Sequence, residues 1–495
     1  MPASAAARPA FAWRPVGLVA VAVAALLAAT ITRYGYHRDE LYFRLLGEHP
    51  SWGYVDQPPA TPLMARAAIE VFGDSVWALR TPALLCVVGT AFIAALIARE
   101  FGSGGGGGQT LAAAGVASAF PLVVGHVLQT ASLDLVVWAA FVLFAVRALR
   151  GSPRWWLAAG AVVGLGLYNK LLVVLLLIGL GVGILAVGPR SVLRSGWLWA
   201  GVALALVLGA PNVVYQVVND FPQSKMASAL AENKGDEARA TFVPFQFLLL
   251  GLALAPVWIA GLVAIWRDRA VRAFAVAYPV ICVLLLILAG QPYYTTGLLV
   301  AMYAAGCGPA LAWVGRGSAG RRWLLGAGLA LNVVISAVVA LPLLPVRAFG
   351  DTFIPEANQA ARDTVGWPTY VRQVADVYGR LAPAERAATV ILTGNYGEAG
   401  AIDRYGAAYG LPAVYSGQNE LYNLGPPPES ALHVVFVLQA PIDWFATAFA
   451  SCTREAKLDN GVGVANEENE EAVVYVCRNR LVSWADLWPR VQHYD

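Results

Sequence analysis

Charged residues make up 13% of this 495-residue chain, about half the share usual in soluble domains, which excludes water as the solvent around most of it. Lysine is scarcer still. Of 34 basic residues only Lys170, Lys225, Lys234 and Lys457 are lysine, an arginine bias that points to a GC-rich bacterial genome. The net charge is only +3, with basic residues scattered over loops, so no basic face exists for nucleic acid. Cysteines number five, and Cys86, Cys282 and Cys307 fall in apolar runs where a small apolar side chain is sufficient explanation. Cys452 and Cys477 lie in the polar C-terminal part, where an oxidising compartment would admit a disulfide and two free thiols are the alternative.

What is abundant is hydrophobic sequence, 58% of residues, gathered between Val16 and Pro345. A helix crossing hydrocarbon needs about 20 apolar residues. Runs near 16–32, 75–98, 110–127, 133–149, 155–168, 171–187, 197–215, 242–266, 273–289, 297–314 and 323–345 predict about eleven crossings. Residues 155–188 exceed one crossing and are interrupted by Tyr168-Asn169-Lys170, which predicts two helices joined by a turn. The first run lacks a clear small-residue cleavage site and reads as an uncleaved helix. Gly102 to Gly108 reads as a flexible linker.

With the N-terminus cytoplasmic, the inward loops carry Arg99, Arg147, Arg150, Arg154, Arg190, Arg194, Arg267, Arg316 and Arg322, and the outward ones Asp39, Glu40, Asp56, Asp74 and Asp134. That is the positive-inside pattern, and the odd number of spans places residues 346–495 outside a bacterial plasma (inner) membrane. In this last part helices near Thr369–Leu381 and Glu398–Tyr409 alternate with strands at Thr389–Leu392, Val414–Ser416, His433–Leu438 and Val473–Cys477. The expected fold class is therefore a polytopic α-helical membrane protein, residues 1–345, with a partly parallel α/β domain, residues 346–495, outside the membrane.

The first outer loop carries the densest chemistry: Arg33-Tyr34-Gly35-Tyr36-His37-Arg38-Asp39-Glu40, then Gly53-Tyr54-Val55-Asp56-Gln57-Pro58-Pro59. An acidic pair immediately beyond a membrane helix is where a proton acceptor for a lipid-borne substrate belongs. Asp39 and Glu40 would equally cap a helix over Leu41–Leu46, and Asp134 would equally open the helix that follows it. Lys170, flanked by apolar runs, is a functional candidate by position, with snorkelling to the interface as the alternative. Pro58, Pro59 and Pro62 bend the chain and start a helix through Thr61–Val71. His37, His49 and His126 with Glu48 could offer ligands to a divalent ion, though at no tight spacing; no cofactor is required by the sequence. Gly394-Asn395-Tyr396-Gly397-Glu398 and Ser416-Gly417-Gln418-Asn419 form strand-to-helix turns suited to acceptor recognition or simply to turning.

Taken in order, Asp39-Glu40, Tyr54-Val55-Asp56-Gln57-Pro58-Pro59, Asp134, Tyr168-Asn169-Lys170, Gln291-Pro292-Tyr293-Tyr294-Thr295 and Gly394-Asn395-Tyr396-Gly397-Glu398-Ala399 resemble the GT-C glycosyltransferases. The resemblance is to bacterial members related to protein O-mannosyltransferases and to the aminoarabinose transferase of lipid A, and it covers nearly the whole chain. It implies transfer, with inversion, of a hexosyl or pentosyl unit from a polyprenyl-phosphate sugar to a protein, lipid or polysaccharide acceptor outside the membrane. Asp39 would be the general base or acceptor-orienting carboxylate, with Glu40 beside it. Lys170, Arg38 and Arg239 would face the donor phosphate, and Asp134, Tyr54, Asp56, Tyr293 and Tyr294 would line the substrate. Gln57 stands where several relatives carry a basic residue, so no phosphate contact is expected there. A transporter of lipid-linked sugars and a non-catalytic scaffold binding cell-wall polymer are the competing classes; against transport, polar residues gather at one face and no inverted repeat is evident.

Overall fold

The computed structural model describes residues 9–102 and 106–495. Fifteen helices form the first part: α1 (Trp13–Thr30), α2 (Arg38–Glu48), α3 (Ala60–Phe72), α4 (Val76–Glu100), α5 (Gly106–Ala114), α6 (Ala119–His126), α7 (Thr130–Arg150), α8 (Trp155–Gly166), α9 (Val173–Ala186), α10 (Gly196–Val218), α11 (Pro222–Leu248), α12 (Ala255–Arg267), α13 (Ala273–Ile287), α14 (Thr296–Gly315) and α15 (Ala319–Ala340). Among the described residues six are long and apolar enough to cross a bilayer alone, eight spans if each of the bent pairs α5 with α6 and α11 with α12 is one, against about eleven expected, and α8, α9 and α13 are shorter apolar helices. Each of the eleven apolar runs thus corresponds to a helix or a bent pair. The turn at Tyr168-Asn169-Lys170 does separate α8 from α9.

Two expectations are corrected. The glycine run is not all linker: residues 103–105 lie outside the described residues, but Gly106 to Gly108 open α5. They pack where side chains would crowd, since a Cβ at Gly106 would lie 3.1 Å from that of Ala12 and one at Gly107 would lie 3.3 Å from Leu311. The segment before residue 242 is helical too, because Ala, Glu, Lys and Gln sustain α11 from Pro222 onward.

Small residues set how closely the helices approach. A Cβ on Gly261 of α12 would sit 1.8 Å from the Met302 carbonyl oxygen of α14, and one on Gly306 would sit 1.9 Å from that of Val257. The same device joins α8 to α10 at Gly160 and Gly201, and α9 to α13 at Gly183. In a medium as apolar as the side chains, such backbone contact supplies the dispersion energy that association needs.

The chain then makes three short turns, α16 (Val346–Gly350), α17 (Ile354–Ala357) and α18 (Gln359–Arg362), and enters an α/β unit. Its elements are α19 (Trp367–Gly379), α20 (Pro383–Ala387), β1 (Thr389–Thr393), α21 (Tyr396–Tyr405), β2 (Val414–Ser416), β3 (His433–Leu438), α22 (Asp443–Ala446), β4 (Phe449–Lys457), α23 (Glu467–Glu470), β5 (Val473–Arg480) and α24 (Trp484–Val491). The sheet order is β2-β1-β3-β5-β4, with β1 parallel to β2 and β3 and the last two pairings antiparallel. β4 escapes hydropathy because Ser451, Arg454 and Lys457 leave this edge strand mostly polar. Cys452 and Cys477 face each other across β4 and β5 and form a disulfide.

One sheet face packs with α19, α21 and α2, so that Ile391, Val435 and Val476 share a core with Leu41, Tyr42 and Leu46. The other packs on α22 and α24. The contact between α21 and α2 is close: a Cβ on Gly400 would fall 2.7 Å from the Leu41 backbone.

Replacing Gly306 with valine forces α12 and α14 apart, and overpacking of this kind destabilises by about 1–3 kcal/mol. The unfolding midpoint in detergent should drop, whereas Gly326→Val, at a position with open space around it, should leave it in place.

Candidate active site

The α2 helix opens on a capping box. The His37 ring Nδ1 accepts from the Asp39 N–H at 3.1 Å, while Glu40 Oε2 accepts from the His37 N–H at 2.8 Å. Capping therefore falls to His37 and Glu40, leaving the Asp39 carboxylate for other work.

Glu40 is wholly buried. Its oxygens also accept from Arg80 Nε at 2.9 Å, Arg80 Nη2 at 3.0 Å and the Leu128 N–H at 2.9 Å. Arg80, equally buried, further donates to the carbonyls of Ile31 and Gly35 and lies 3.1 Å from His126 Nε2. Of the roles open to Glu40, the helix cap is the one the geometry shows, and its remaining acceptor capacity is spent on Arg80 and Leu128, so it holds the loop after α1 in place and is not free for the reaction centre.

Asp39 is 26% exposed. Its Oδ1 accepts from the Tyr396 hydroxyl at 2.8 Å, and Oδ2 lies 3.7 Å from His37 Nδ1. Tyr396 reaches it from the first turn of α21, where Asn395 caps the helix and Gln418 Oε1 accepts from the Tyr396 N–H at 2.6 Å. The Tyr396 ring stacks on Tyr42, centroids 4.6 Å apart. Tyr42 donates to Asp56 Oδ1 at 3.1 Å and accepts from the Glu420 N–H at 3.2 Å, while Glu420 accepts from the Val55 N–H at 2.7 Å. Burial, with Glu420 and Asp39 adding repulsion, pushes the Asp56 carboxyl up to about 7.

Lys170 is positioned by its neighbour. Asn169, wholly buried, donates to the Thr130 carbonyl at the start of α7 at 2.8 Å and accepts from the Thr61 hydroxyl of α3 at 3.0 Å. The Lys170 ammonium then lies 4.3 Å from the Tyr294 ring centre and 5.6 Å from that of Tyr293. Asp134 lies within electrostatic reach of Lys170, and Tyr293 within reach of both Asp39 and Asp134. Asp134 is not the helix cap, because α7 begins at Thr130 behind Gln129.

Asp39, Asp56, Asp134, Lys170, Tyr293 and Tyr294 thus gather at the end of the helix bundle that carries the sheet domain. Arg38 lies beside this group, 6.0 Å from the Tyr396 ring centre, but pairs with Glu467 at 3.0 Å and Asp363 at 3.4 Å; Arg239 pairs with Asp236 at 3.2 Å and donates to the Leu286 carbonyl. Tyr54 is buried with its hydroxyl donating to the carbonyls of Leu46 and His49. Lys170, by contrast, forms no ion pair within 4 Å among the described residues. The histidines do not assemble a metal site either: His37 is engaged by Asp39, His126 faces the Arg80 guanidinium, and no group of three ligand-type side chains suited to a metal occurs among the described residues.

Tyr42, Arg80, Tyr396 and Glu420 were missed. Arg80 carried a sequence signal, as the one charge in the apolar run 75–98. Tyr396 lies within the motif at residues 394–399 but was not singled out there, and Tyr42 had no signal.

Residues 56–215 match the family model described as dolichyl-phosphate-mannose-protein mannosyltransferase. No curated protein sequence matches the chain. Among solved structures it is similar to ArnT from Cupriavidus metallidurans bound to undecaprenyl phosphate, at 15% identity and TM-score 0.57 over 94% of this chain and 98% of that one. It is also similar to the arabinofuranosyltransferase AftD from Mycobacteria, at 14% identity and TM-score 0.53, over 96% of this chain but 40% of that one. The GT-C resemblance read from the sequence is borne out in the fold, as a multi-pass membrane protein with a small sheet domain at its C-terminal end.

Breaking the buried pair on one side should destabilise by about 3–5 kcal/mol, because the remaining charge is left uncompensated. Arg80→Met and Glu40→Gln should each lower the unfolding midpoint, and the Glu40→Leu, Arg80→Met double variant should be less impaired than Arg80→Met alone.

Beyond Arg38, burial and the Glu467 and Asp363 carboxylates push Glu468 up to about 8 from an ordinary 4.5. A carboxyl raised on folding contributes stability fully below its unfolded value and loses it as pH rises through the folded one. Hydrogen exchange in α23 and β5 should therefore speed up between about pH 5 and 8 beyond its intrinsic rise, and Glu468→Gln should remove that excess.

Proposed function

We propose that this chain is an inverting glycosyltransferase of a bacterial plasma membrane, which passes a hexosyl or pentosyl unit from a polyprenyl-phosphate donor to a hydroxyl acceptor outside the membrane, with Asp39 as base. The observation that carries this reading is the gathering of Asp39, Asp134 and Lys170 around Tyr293 at one end of the helix bundle. One oxygen of the Asp39 carboxylate is held by Tyr396, and the Lys170 ammonium forms no ion pair within 4 Å among the described residues, Asp134 acting on it from farther off. The undecaprenyl phosphate bound by ArnT, whose fold is similar over nearly the full length, supports a polyprenyl phosphate as the carrier. The N-terminus would be cytoplasmic and the sheet domain extracytoplasmic.

In this reaction the acceptor oxygen attacks the anomeric carbon from the face opposite the phosphate. The bond between that carbon and the phosphate oxygen breaks, and its electron pair leaves with the polyprenyl phosphate. The acceptor proton passes to Asp39. The Tyr396 hydrogen bond fixes the carboxylate plane, so that the second oxygen meets the acceptor. Lys170, braced by Asn169 and flanked by Tyr293 and Tyr294, stabilises the charge that grows on the leaving phosphate. Asp134, beside Lys170, orients the ammonium or a sugar hydroxyl. Arg38 is held by Glu467 and Asp363, so Lys170 is assigned the phosphate ahead of it.

Purified protein given radiolabelled polyprenyl-phosphate sugars and a cell-envelope acceptor fraction should transfer label. Asp39→Asn should lower the rate about 10²–10⁴-fold, the range for loss of a general base, and Lys170→Met should lower it comparably. Transfer that persists in Asp39→Asn would remove Asp39 from this role, and absence of both transfer and donor hydrolysis with every donor would defeat the enzymatic reading.

A further inference from the structure

The sheet domain has a crevice of its own. The link after β1 leaves toward the face covered by α21, and the chain after β3 leaves toward the face covered by α22. The two parallel neighbours β1 and β3 therefore send their carboxyl ends to opposite sides. A gap opens there by topology alone, and in open α/β sheets this is where ligands bind. In this protein the gap is a cavity of about 320 Å³, walled by the ends of β1, β2 and β3 and by residues 490–495, within the size range of small-molecule sites.

The lining decides what fits. Asn395, Gln418 and Gln439 supply amides and Trp444 an indole, with Arg490 5.9 Å from its ring centre, and Arg490, His493, Glu467 and Asp495 complete the polar lining. These charged groups already have partners in the protein: Glu467 pairs with Arg38 and Asp495 with Lys234, Arg490 donates to the Trp444 carbonyl, and the His493 ring nitrogens lie against the Val491 and Gly394 carbonyls, so the amides and the indole are what the crevice offers. The first N–H groups of α21, which could otherwise cradle a phosphate, are already taken: Tyr396 N–H by Gln418 and Gly397 N–H by Asn395 at 2.6 Å. Gln418 keeps its amide N–H groups unengaged among the described residues, because only its oxygen is used. Gln439 donates to Glu398 at 2.6 Å, leaving its oxygen free to accept. Donors and acceptors beside an indole match the alternating polar edges and apolar faces of a saccharide.

The crevice also adjoins the reaction centre. Gln418 and Asn395 position Tyr396, which holds Asp39, and Glu467 pairs with Arg38 one residue away. We propose that this crevice binds a neutral sugar residue of the acceptor, making the acceptor a glycan whose reactive end reaches Asp39 while a more distant unit is held between Gln439 and Trp444. The inference rests on the transfer reaction proposed above.

The test uses the full chain in nanodiscs carrying Asp39→Asn, so that binding is read without turnover. Arabinan, mannan, galactan and N-acetylglucosamine oligosaccharides are probed by saturation-transfer NMR and calorimetry. At least one should bind, and Trp444→Ala and Gln439→Leu should each weaken it at least 10-fold while the unfolding midpoint stays within a few degrees. No binding by any of the four, binding unchanged in both variants, or capture of unglycosylated peptides in their place would overturn the proposal. Since no turnover is measured, this site can fail while transfer stands, and can stand while transfer fails.

Discussion

The Glu40–Arg80 pair is the contact on which the rest of the site depends. Removing two charges from water costs several kcal/mol per ion, and a buried pair returns that only when its remaining donors and acceptors are satisfied. Here they are nearly all used: Arg80 reaches the carbonyls of Ile31 and Gly35 after α1, and Glu40 takes the N–H groups of His37 and Leu128. One ion pair thereby fastens the exit of α1, the first turn of α2, the start of α4 and the link between α6 and α7. Successive side chains on a helix diverge by about 100°, so fixing Glu40 inward turns Asp39 outward, toward Tyr396.

The sheet domain is part of the same construction. Its core is continuous with α2 through Leu41, Tyr42 and Leu46, and Gly400 lets α21 lie directly on α2. Arg44 extends the clamp, bonding Asp74 at 2.9 Å and also Asp403 of α21. The Tyr396 hydroxyl consequently arrives at Asp39 on a rigid element instead of a free loop, which suits a group meant to hold a carboxylate plane.

Much of this was legible in the sequence, and the illegible parts share a physical cause. Eleven apolar segments show in hydropathy because hydrocarbon demands them, and the convergence of Asp39, Asp134 and Lys170 at one end follows from counting crossings. Hydropathy is blind to a helix that continues into water, hence the missed extent of α11, and to an edge strand as polar as β4. The roles of Asp39 and Glu40 could not be separated either, since adjacent carboxylates differ only in rotation about a helix whose start was not known. Tyr42 and Tyr396 lie 354 positions apart in sequence and meet through tertiary packing alone.

The distribution of charge partners bears most directly on chemistry. Arg38, Arg44, Arg80 and Arg404 are each matched to a carboxylate at this end of the molecule, as buried or half-buried cations are expected to be. Lys170 breaks the pattern: its near neighbours are the faces of Tyr293 and Tyr294, and Asp134 acts on it only from beyond ion-pair distance. An ammonium held by aromatic faces remains able to attract an anion, because cation–π contact stabilises the charge without neutralising it. The folded chain therefore keeps a positive charge among aromatic faces at the same end of the bundle as the partly exposed Asp39 carboxylate, with Tyr293 within reach of both, an arrangement that gains when a negatively charged group enters.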